Sequence, residues 1–301
     1  MNAFDYRAPR TVDEALAILR EYGEDARVIA GGTALVTMMR QGLVRPTCLV
    51  SLRDVEGLGR IEATNGSVRL GALVTHLEAE VSPLLRERLP VLAETFRRVA
   101  TVRIRHMATV GGALAHADPN QDPPVTLIAL GAKVEIRRAG SQRELPLGEF
   151  FRDYYESALE PGELVTGVTV PRLPAASGAA YLKFLPRTAD DYATVAVAAV
   201  VSLEPDGERC REARIALGSV GVTPLRARAA EALLRGERLG ESLFQAAGEA
   251  AKGEVDPLSD HRGSAAYKRE MTAVMVGRAL TQAWEAARRA VRGGGALNNP
   301  G

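Results

Sequence analysis

Val12, Ala15, Leu16 and Leu19 fall at helical spacing behind a Thr11-x-x-Glu14 capping box, which predicts a first helix stopped by Gly23. An apolar run at 27–30 reads as a short buried strand and ends on Gly31-Gly32. Ala34, Leu35, Val36, Met38 and Met39 restart a helical pattern to about Arg40, and 48–52 make another buried strand. The first fifty residues thus predict α-β-α-β, a small α/β lobe.

From Gly57 the pattern changes. Residues 60–63 and 68–72 flank Asn65-Gly66 and predict a hairpin. Thr75 with Glu78 is a second capping box, and Leu77, Val81, Leu84 and Leu85 follow at helical spacing, interrupted by Pro83. Another helix is predicted at 91–98. Residues 101–124 read as a long loop carrying a second pair, Gly111-Gly112, and loops of that length are more often functional than idle. A helix at 125–130, a hairpin at 133–137 and 144–147, and a strand at 164–170 close this part.

Residues 171–178, rich in Pro and Ala, form the linker candidate. Three strands in meander order follow at 180–185, 194–203 and 213–217. The middle one is apolar throughout, so both its faces should be covered. Helices are predicted at 224–235, with Pro224 as the first helical residue, at 239–252 and at 264–291. The Gly-rich tail from 293 is expected to be disordered. No internal repeat is apparent.

Composition narrows the function. The 301 residues are 46% apolar and 25% charged with a formal net charge of +1, which suits a soluble globular chain and not a dedicated nucleic-acid binder. No signal core opens the chain, and no run nears the roughly 18 apolar residues of a membrane span. A cytoplasmic location is the expectation. The 2 cysteines, Cys48 and Cys210, and the 4 histidines have no metal or cluster spacing, so no metal site is expected. Cys48 reads as a buried strand residue.

Strand, Gly-Gly turn and helix start is an arrangement whose backbone N–H groups can face an anion. A single Gly pair is more often a tight turn. Two pairs, each beside a threonine (Thr33, Thr109) and an apolar segment, suggest a pyrophosphate held from both sides by oriented amides. Neither a P-loop nor a Gly-x-Gly-x-x-Gly fingerprint is present. Asp122 reads either as a helix N-cap or as a carboxylate for ribose hydroxyls, and both can hold. Asp118 reads as a turn former. Lys183 is either a snorkelling surface lysine or a site residue. Tyr192 is either core packing or a flat ring against a cofactor. Arg103, Arg105 and His106 read as loop anchors or interface residues. The Leu217–Pro224 segment resembles an anion loop, but Pro224 as a helix start explains it structurally.

With these positions in hand, nearly the whole chain resembles the FAD-binding medium subunit of the molybdenum hydroxylases, the xanthine dehydrogenase and carbon monoxide dehydrogenase group. The likeness rests on Ala30-Gly-Gly-Thr-Ala-Leu35, on 108–122 (Ala-Thr-Val-Gly-Gly-Ala-Leu-Ala-His-Ala-Asp-Pro-Asn-Gln-Asp), on Asp190-Asp-Tyr-Ala-Thr194 and on 218–227. Ile104-Arg-His106 stands where the family usually has Ile-Arg-Asn. The implied fold is α+β: a two-lobed FAD-binding domain of vanillyl-alcohol-oxidase type (lobes 1–55 and 56–172), a C-terminal domain with a three-stranded antiparallel sheet and helices (179–291), and a disordered tail (292–301).

The resemblance implies non-covalent FAD. It places Gly31, Gly32 and Thr33 on the pyrophosphate, with Thr109, Gly111 and Gly112 on the other side. Asp122 falls toward the adenosine ribose, Lys183 near the flavin ring and Tyr192 against the isoalloxazine face. Val28, Leu35 and Leu164 line the ring or adenine pocket, and Ile29, Ala30, Ala34, Ala100, Val110 and Ala113 complete the cofactor-binding set. Two positions depart from the family pattern. Ala34 replaces a usual Ser or Asp, and Ala113 a usual Asn, each removing one side-chain hydrogen bond worth about 1 kcal/mol.

The implied function is electron transfer. Electrons from a molybdopterin-binding large subunit arrive through a [2Fe-2S] small subunit and leave to NAD, oxygen or a quinone, in a dimer of heterotrimers. The cofactor carries the chemistry, so no catalytic acid or base is nominated. Two alternatives are an assembly subunit with a weakened or vestigial FAD site, and a nucleotide-binding module without a redox role.

Overall fold

The computed structural model describes residues 3–64 and 66–295. The chain falls into two compact units: residues up to Asp118 with Ala132–Pro171, and Pro119–Gly131 with residues from Arg172 onward.

In the first unit, β1 (Asp5–Arg7), β2 (Ala26–Ile29) and β3 (Cys48–Ser51) form a parallel sheet ordered β1-β3-β2. Helix α1 (Val12–Tyr22) is capped as predicted, with Thr11 Oγ1 accepting from the Glu14 amide at 3.2 Å. It buries Ala15, Leu16 and Leu19 in one core with Ala26, Cys48 and Val50. The expected α-β-α-β order therefore gains a leading strand. All three β1 residues are exposed, and they pair with β3 through the main chain alone, so no apolar alternation marks them.

The first Gly pair leads into α2 (Leu35–Arg40). A second sheet follows, built from β4 (Ile61–Thr64), β5 (Ser67–Gly71), β6 (Lys133–Arg138), β7 (Ser141–Pro146) and β10 (Leu164–Pro171). Its order is β4-β5-β10-β6-β7, all antiparallel, so β10 closes two predicted hairpins into one sheet. Asn65 of the first hairpin turn lies outside the described residues. Strands β8 (Phe151–Asp153) and β9 (Glu156–Ser157) make a small separate hairpin. Pro83 divides α3 (His76–Val81) from α4 (Pro83–Arg88), and α5 (Pro90–Arg97) follows.

The predicted loop at 101–124 is largely helical. Its threonines act as N-caps: Thr101 Oγ1 accepts from Ile104 N ahead of α6 (Val102–Met107), and Thr109 Oγ1 accepts from Gly112 N ahead of α7 (Val110–His116). Both helices are short and Gly-rich or polar, which hid them from the apolar pattern. Cap chemistry outweighs the propensity cost of Gly111 and Gly112 in a first turn.

In the second unit, α8 (Asp122–Ala129) starts one residue earlier than an Asp122 N-cap would require. Gln121 is the cap residue and Asp122 opens the first turn. Strands β11 (Ser177–Phe184), β12 (Val195–Leu203) and β13 (Cys210–Gly218) form the predicted antiparallel meander, and β12 is buried at all nine positions. A two-residue strand, β14 (Leu225–Arg226), adds a fourth member where a helix was expected to begin at Pro224. Pairing of Leu225 with Leu217 holds that segment extended, so α9 starts only at Arg228 (Arg228–Leu234). Helices α10 (Glu241–Lys252) and α11 (Ala265–Gly295) complete the unit. Its core gathers Val197, Val201, Ile215, Leu217, Phe244, Ala247, Val276 and Leu280. Of the expected tail, 296–301 lies outside the described residues, and α11 continues through 292–295.

Candidate functional site

The two Gly pairs adjoin in the first unit and do different work. Residues 28–35 are all partly buried. A Cβ on Gly31 would stand 1.7 Å from the carbonyl oxygen of Met107, so only glycine permits this contact between the first turn and the end of α6. Gly32 takes a φ of 69°, in the left-handed region. The amides of Gly31, Gly32, Thr33, Ala34 and Leu35 donate no hydrogen bond to the described residues. Ala34, the N-cap position of α2, offers no side-chain acceptor to that helix start. Thr33 contributes its carbonyl, which accepts from Thr37 Oγ1 at 3.2 Å. The side chain of Ile29 lies against Gly32, while Val28 packs against the core that contains Leu164.

The second pair is engaged already. Val110 N donates to Val74 O at 2.9 Å, Gly111 N to Ala72 O at 2.8 Å, and Ala113 N to Thr109 O at 2.9 Å. Gly112 N donates to Thr109 Oγ1 at 3.1 Å. This differs from the expected symmetric cradle: on this side the main-chain donors hold the 72–76 segment and cap α7. A Cβ on Gly111 would meet Ala72 at 2.5 Å, so Gly111 serves close packing. Gly112 is exposed, while Val110 and Ala113 are buried.

Two residues support this region: Arg105, which the sequence marked as a loop anchor or interface residue without showing its partners, and His76, which it did not mark. Arg105 pairs with Glu80 at 2.8 Å, both side chains mostly buried, and donates to the carbonyls of Val99 and Ala100 at 2.9 and 3.0 Å. It thereby holds Ala100 at a φ of 38°, uncommon for a residue with a side chain. Arg105 is thus a loop anchor, whereas Arg103 and His106 are exposed. His76 is 3% exposed and packs on Phe96, with ring centroids 5.2 Å apart. Among the described residues its ring nitrogens make no hydrogen bond of normal geometry, and burial lowers its pKa to about 4 against a smaller opposing effect of the Thr109 backbone. Its amide donates to Ala108 O, just ahead of Thr109. A histidine at a capping-box helix start gives no sequence sign of such burial.

The remaining candidates lie in the second unit. Lys183 Nζ stands 2.9 Å from Asp122 Oδ2, with both side chains at most 3% exposed, so Lys183 does not snorkel. Tyr181, two residues earlier on the same face of β11, donates its hydroxyl to Asp122 Oδ1. That i, i+2 pairing was readable from strand alternation. Tyr192 is 47% exposed and so is not a core residue, and the Arg262 guanidinium lies over its ring. Ser219, in the segment resembling an anion loop, is buried with a φ of 64°. Among the described residues no group of three His, Cys, Asp or Glu could hold a metal ion, and both cysteines are free and buried. No helix of the described residues is long and apolar enough to cross a membrane.

Comparison with known proteins decides the family. Residues 2–173 match the FAD binding domain in molybdopterin dehydrogenase, and residues 180–283 match the CO dehydrogenase flavoprotein C-terminal domain. The chain belongs to the FAD-binding medium subunits of the molybdenum hydroxylases. The medium chain of carbon monoxide dehydrogenase from Afipia carboxidovorans is 37% identical over 93% of this chain and 96% of its own length. Subunit alpha of the 6-hydroxypseudooxynicotine dehydrogenase complex from Paenarthrobacter nicotinovorans is 37% identical over 95% of this chain and 96% of its own. Among solved structures, a carbon monoxide dehydrogenase from Hydrogenophaga pseudoflava that lacks the Mo-pyranopterin moiety aligns with a TM-score of 0.91. That alignment is at 36% identity and covers 95% of this chain and 98% of the other.

As a medium subunit of this family, the chain is an oxidoreductase component and FAD is its cofactor. The first turn fits that group. Five successive amides without internal acceptors, in a half-buried Gly-Gly turn, are suited to the two charges of a pyrophosphate on a protein with almost no net charge.

Proposed function

We propose that this subunit carries FAD non-covalently within a molybdenum hydroxylase complex in the cytoplasm. Electrons reach it from a [2Fe-2S] small subunit fed by a molybdopterin-binding large subunit, in a dimer of heterotrimers, and leave to NAD, oxygen or a quinone. When bound, FAD supplies the exchange between one-electron and two-electron chemistry. The protein's task is to hold and orient it.

The observation that carries this reading is the run of unengaged amides from Gly31 to Leu35, fixed by the Gly31–Met107 approach. Thr109 adds a hydroxyl whose oxygen caps α7 while its proton remains to donate. The assignments of Asp122, Lys183 and Tyr192 to the ribose and flavin ring rest on family likeness. The Asp122–Lys183 pair supports a structural duty for both residues beside any contact with cofactor.

Purification with the partner chains tests the reading. A flavin absorbance spectrum at about one FAD per chain, reduced when the complex receives substrate electrons, is the expected result. A colourless chain that refuses added FAD would overturn it and favour the vestigial site that Ala34 and Ala113 suggest. Identifying the co-purified chains tests the partner assignment separately.

A further inference from the structure

At its C-terminal end α2 closes on a Schellman turn. Gly42 N donates to Met39 O at 3.1 Å and Leu43 N to Met38 O at 2.9 Å, with Gly42 at a φ of 74°. The chain doubles back there, and 42–46 shares a cleft with Phe4, the residue ahead of β1. The cleft holds about 260 Å³ within the first unit, and its walls include Phe4, Met39, Arg40, Val44, Arg45 and Pro46.

This cleft is rich in donors and has no acid to balance them. Of the described residues that line it none is acidic, on a chain whose 38 basic and 37 acidic side chains nearly cancel. Arg40 is exposed and makes no ion pair or hydrogen bond through its side chain with the described residues. Arg45 is exposed too. Its Nε donates to Gly42 O at 3.3 Å, which turns the guanidinium back over Gly42, and its terminal nitrogens hydrogen-bond to none of the described residues. The amides of Val44 and Arg45 likewise donate to none of them. Asp5, next to Phe4 in the chain, is engaged elsewhere, accepting from the Tyr22 hydroxyl at 3.0 Å. The carbonyl end of α2 opposes an anion, but two guanidiniums outweigh the roughly half charge of a helix end.

We propose that this cleft binds the phosphate group of a small molecule of mononucleotide size, held by Arg40 and Arg45 with its flat part on Phe4. Each guanidinium offers paired N–H groups at the spacing of phosphate oxygens. Phe4, 37% exposed, adds the aromatic face on which a base can stack. The volume sets the size, since it falls below the roughly 300–1,000 Å³ of drug-sized ligand sites and cannot enclose a dinucleotide. The six residues of α2, rising about 9 Å, separate this cleft from the Gly31–Leu35 turn. It can therefore fill whether or not the turn holds FAD.

Amide NMR of the full chain with FAD present, titrated at constant ionic strength with inorganic phosphate, AMP or malonate, tests the site. Saturable shifts at the Val44 and Arg45 amides are expected, with AMP binding more tightly than phosphate and malonate more weakly. Arg40→Gln and Arg45→Gln should each weaken AMP at least about tenfold, and the double variant should abolish the shifts. Neither arginine holds an ion pair, so these surface variants should fold, and Arg40→Lys should recover part of the affinity. Phe4→Ala should remove the advantage of AMP over phosphate, and Gly31→Ala should leave the titration unchanged. Absence of saturable shifts, or shifts that survive in the double variant, would overturn the site. Loss of binding in Gly31→Ala with none in the double variant would place the phosphate on the first turn instead. Malonate binding as tightly as phosphate would overturn the phosphate assignment in favour of a carboxylate. Equal affinity for AMP and phosphate would overturn the role of Phe4 and the mononucleotide size.

Discussion

Gly31 and Met107 approach each other so closely that a methyl group on the glycine would stand 1.7 Å from the methionine's carbonyl oxygen. Two segments more than seventy residues apart in the chain are thereby pressed backbone to backbone. Gly31→Ala must push the first turn off α6, and overpacking of this kind costs about 1–3 kcal/mol. Under the proposed role of this turn in holding FAD, flavin retention should fall at least about tenfold, the equivalent of about 1.4 kcal/mol. Flavin-to-protein ratio after gel filtration checks this, with far-UV circular dichroism expected to stay unchanged.

Thr109 caps α7 through Gly112. Thr109→Ala should cost about 1 kcal/mol of stability, and Thr109→Ser should restore it. If the hydroxyl also donates to the pyrophosphate, the alanine variant will lose FAD affinity beyond this amount, and a flavin titration paired with urea denaturation separates the two effects.

Lys183 and Asp122 form a buried ion pair with Tyr181 as a third member. Lys183→Met removes the cation from a buried carboxylate that keeps its Tyr181 hydrogen bond, and should destabilise by about 3–5 kcal/mol. Combining it with Asp122→Asn should recover a large part of that loss, because the amide can still accept from Tyr181. A double-mutant cycle in denaturant gives the coupling directly.

His76 links stability to pH. Its folded pKa of about 4 lies below the ordinary 6.5 because burial disfavours the charged ring. The unfolded chain therefore takes up the proton first as pH falls. The contribution is present in full above the unfolded pKa and is lost between pH 6.5 and 4, amounting to roughly 3 kcal/mol. His76→Leu should flatten the stability profile across this window. An unchanged slope in denaturation from pH 7 to 4 would count against the buried neutral ring.

The sequence made most of the framework readable because it is written in local signals. Capping boxes at Thr11 and Thr75, the two hairpins and the apolar run of β12 all appear where their chemistry places them. The α6–α7 region was hidden because its signals compete: Gly111-Gly112 speaks for a turn, and only the threonine caps speak for helix. Strand β1 was hidden because main-chain pairing leaves no side-chain trace. At the candidate site, the motif residues were visible, but their partners were not. Arg105 holding Ala100, and Arg262 over Tyr192, are contacts made by the fold, and nothing in the spacing of those residues announces them.

The unequal use of amides in the two Gly pairs has a consequence for how the cofactor is taken up. The start of α7 is laced to Ala72 and Val74 by bonds internal to the protein, so on the proposed reading that wall is preorganised and ligand need not order it. The first turn has no such lacing from Gly31 to Leu35, and its ordering entropy falls due when flavin arrives. In protein stripped of flavin, amide hydrogens at Val110 and Gly111 should exchange slowly and those from Gly31 to Leu35 quickly, with protection of the turn returning on reconstitution. Association would then be limited by the folding-in of one short turn against a wall already standing.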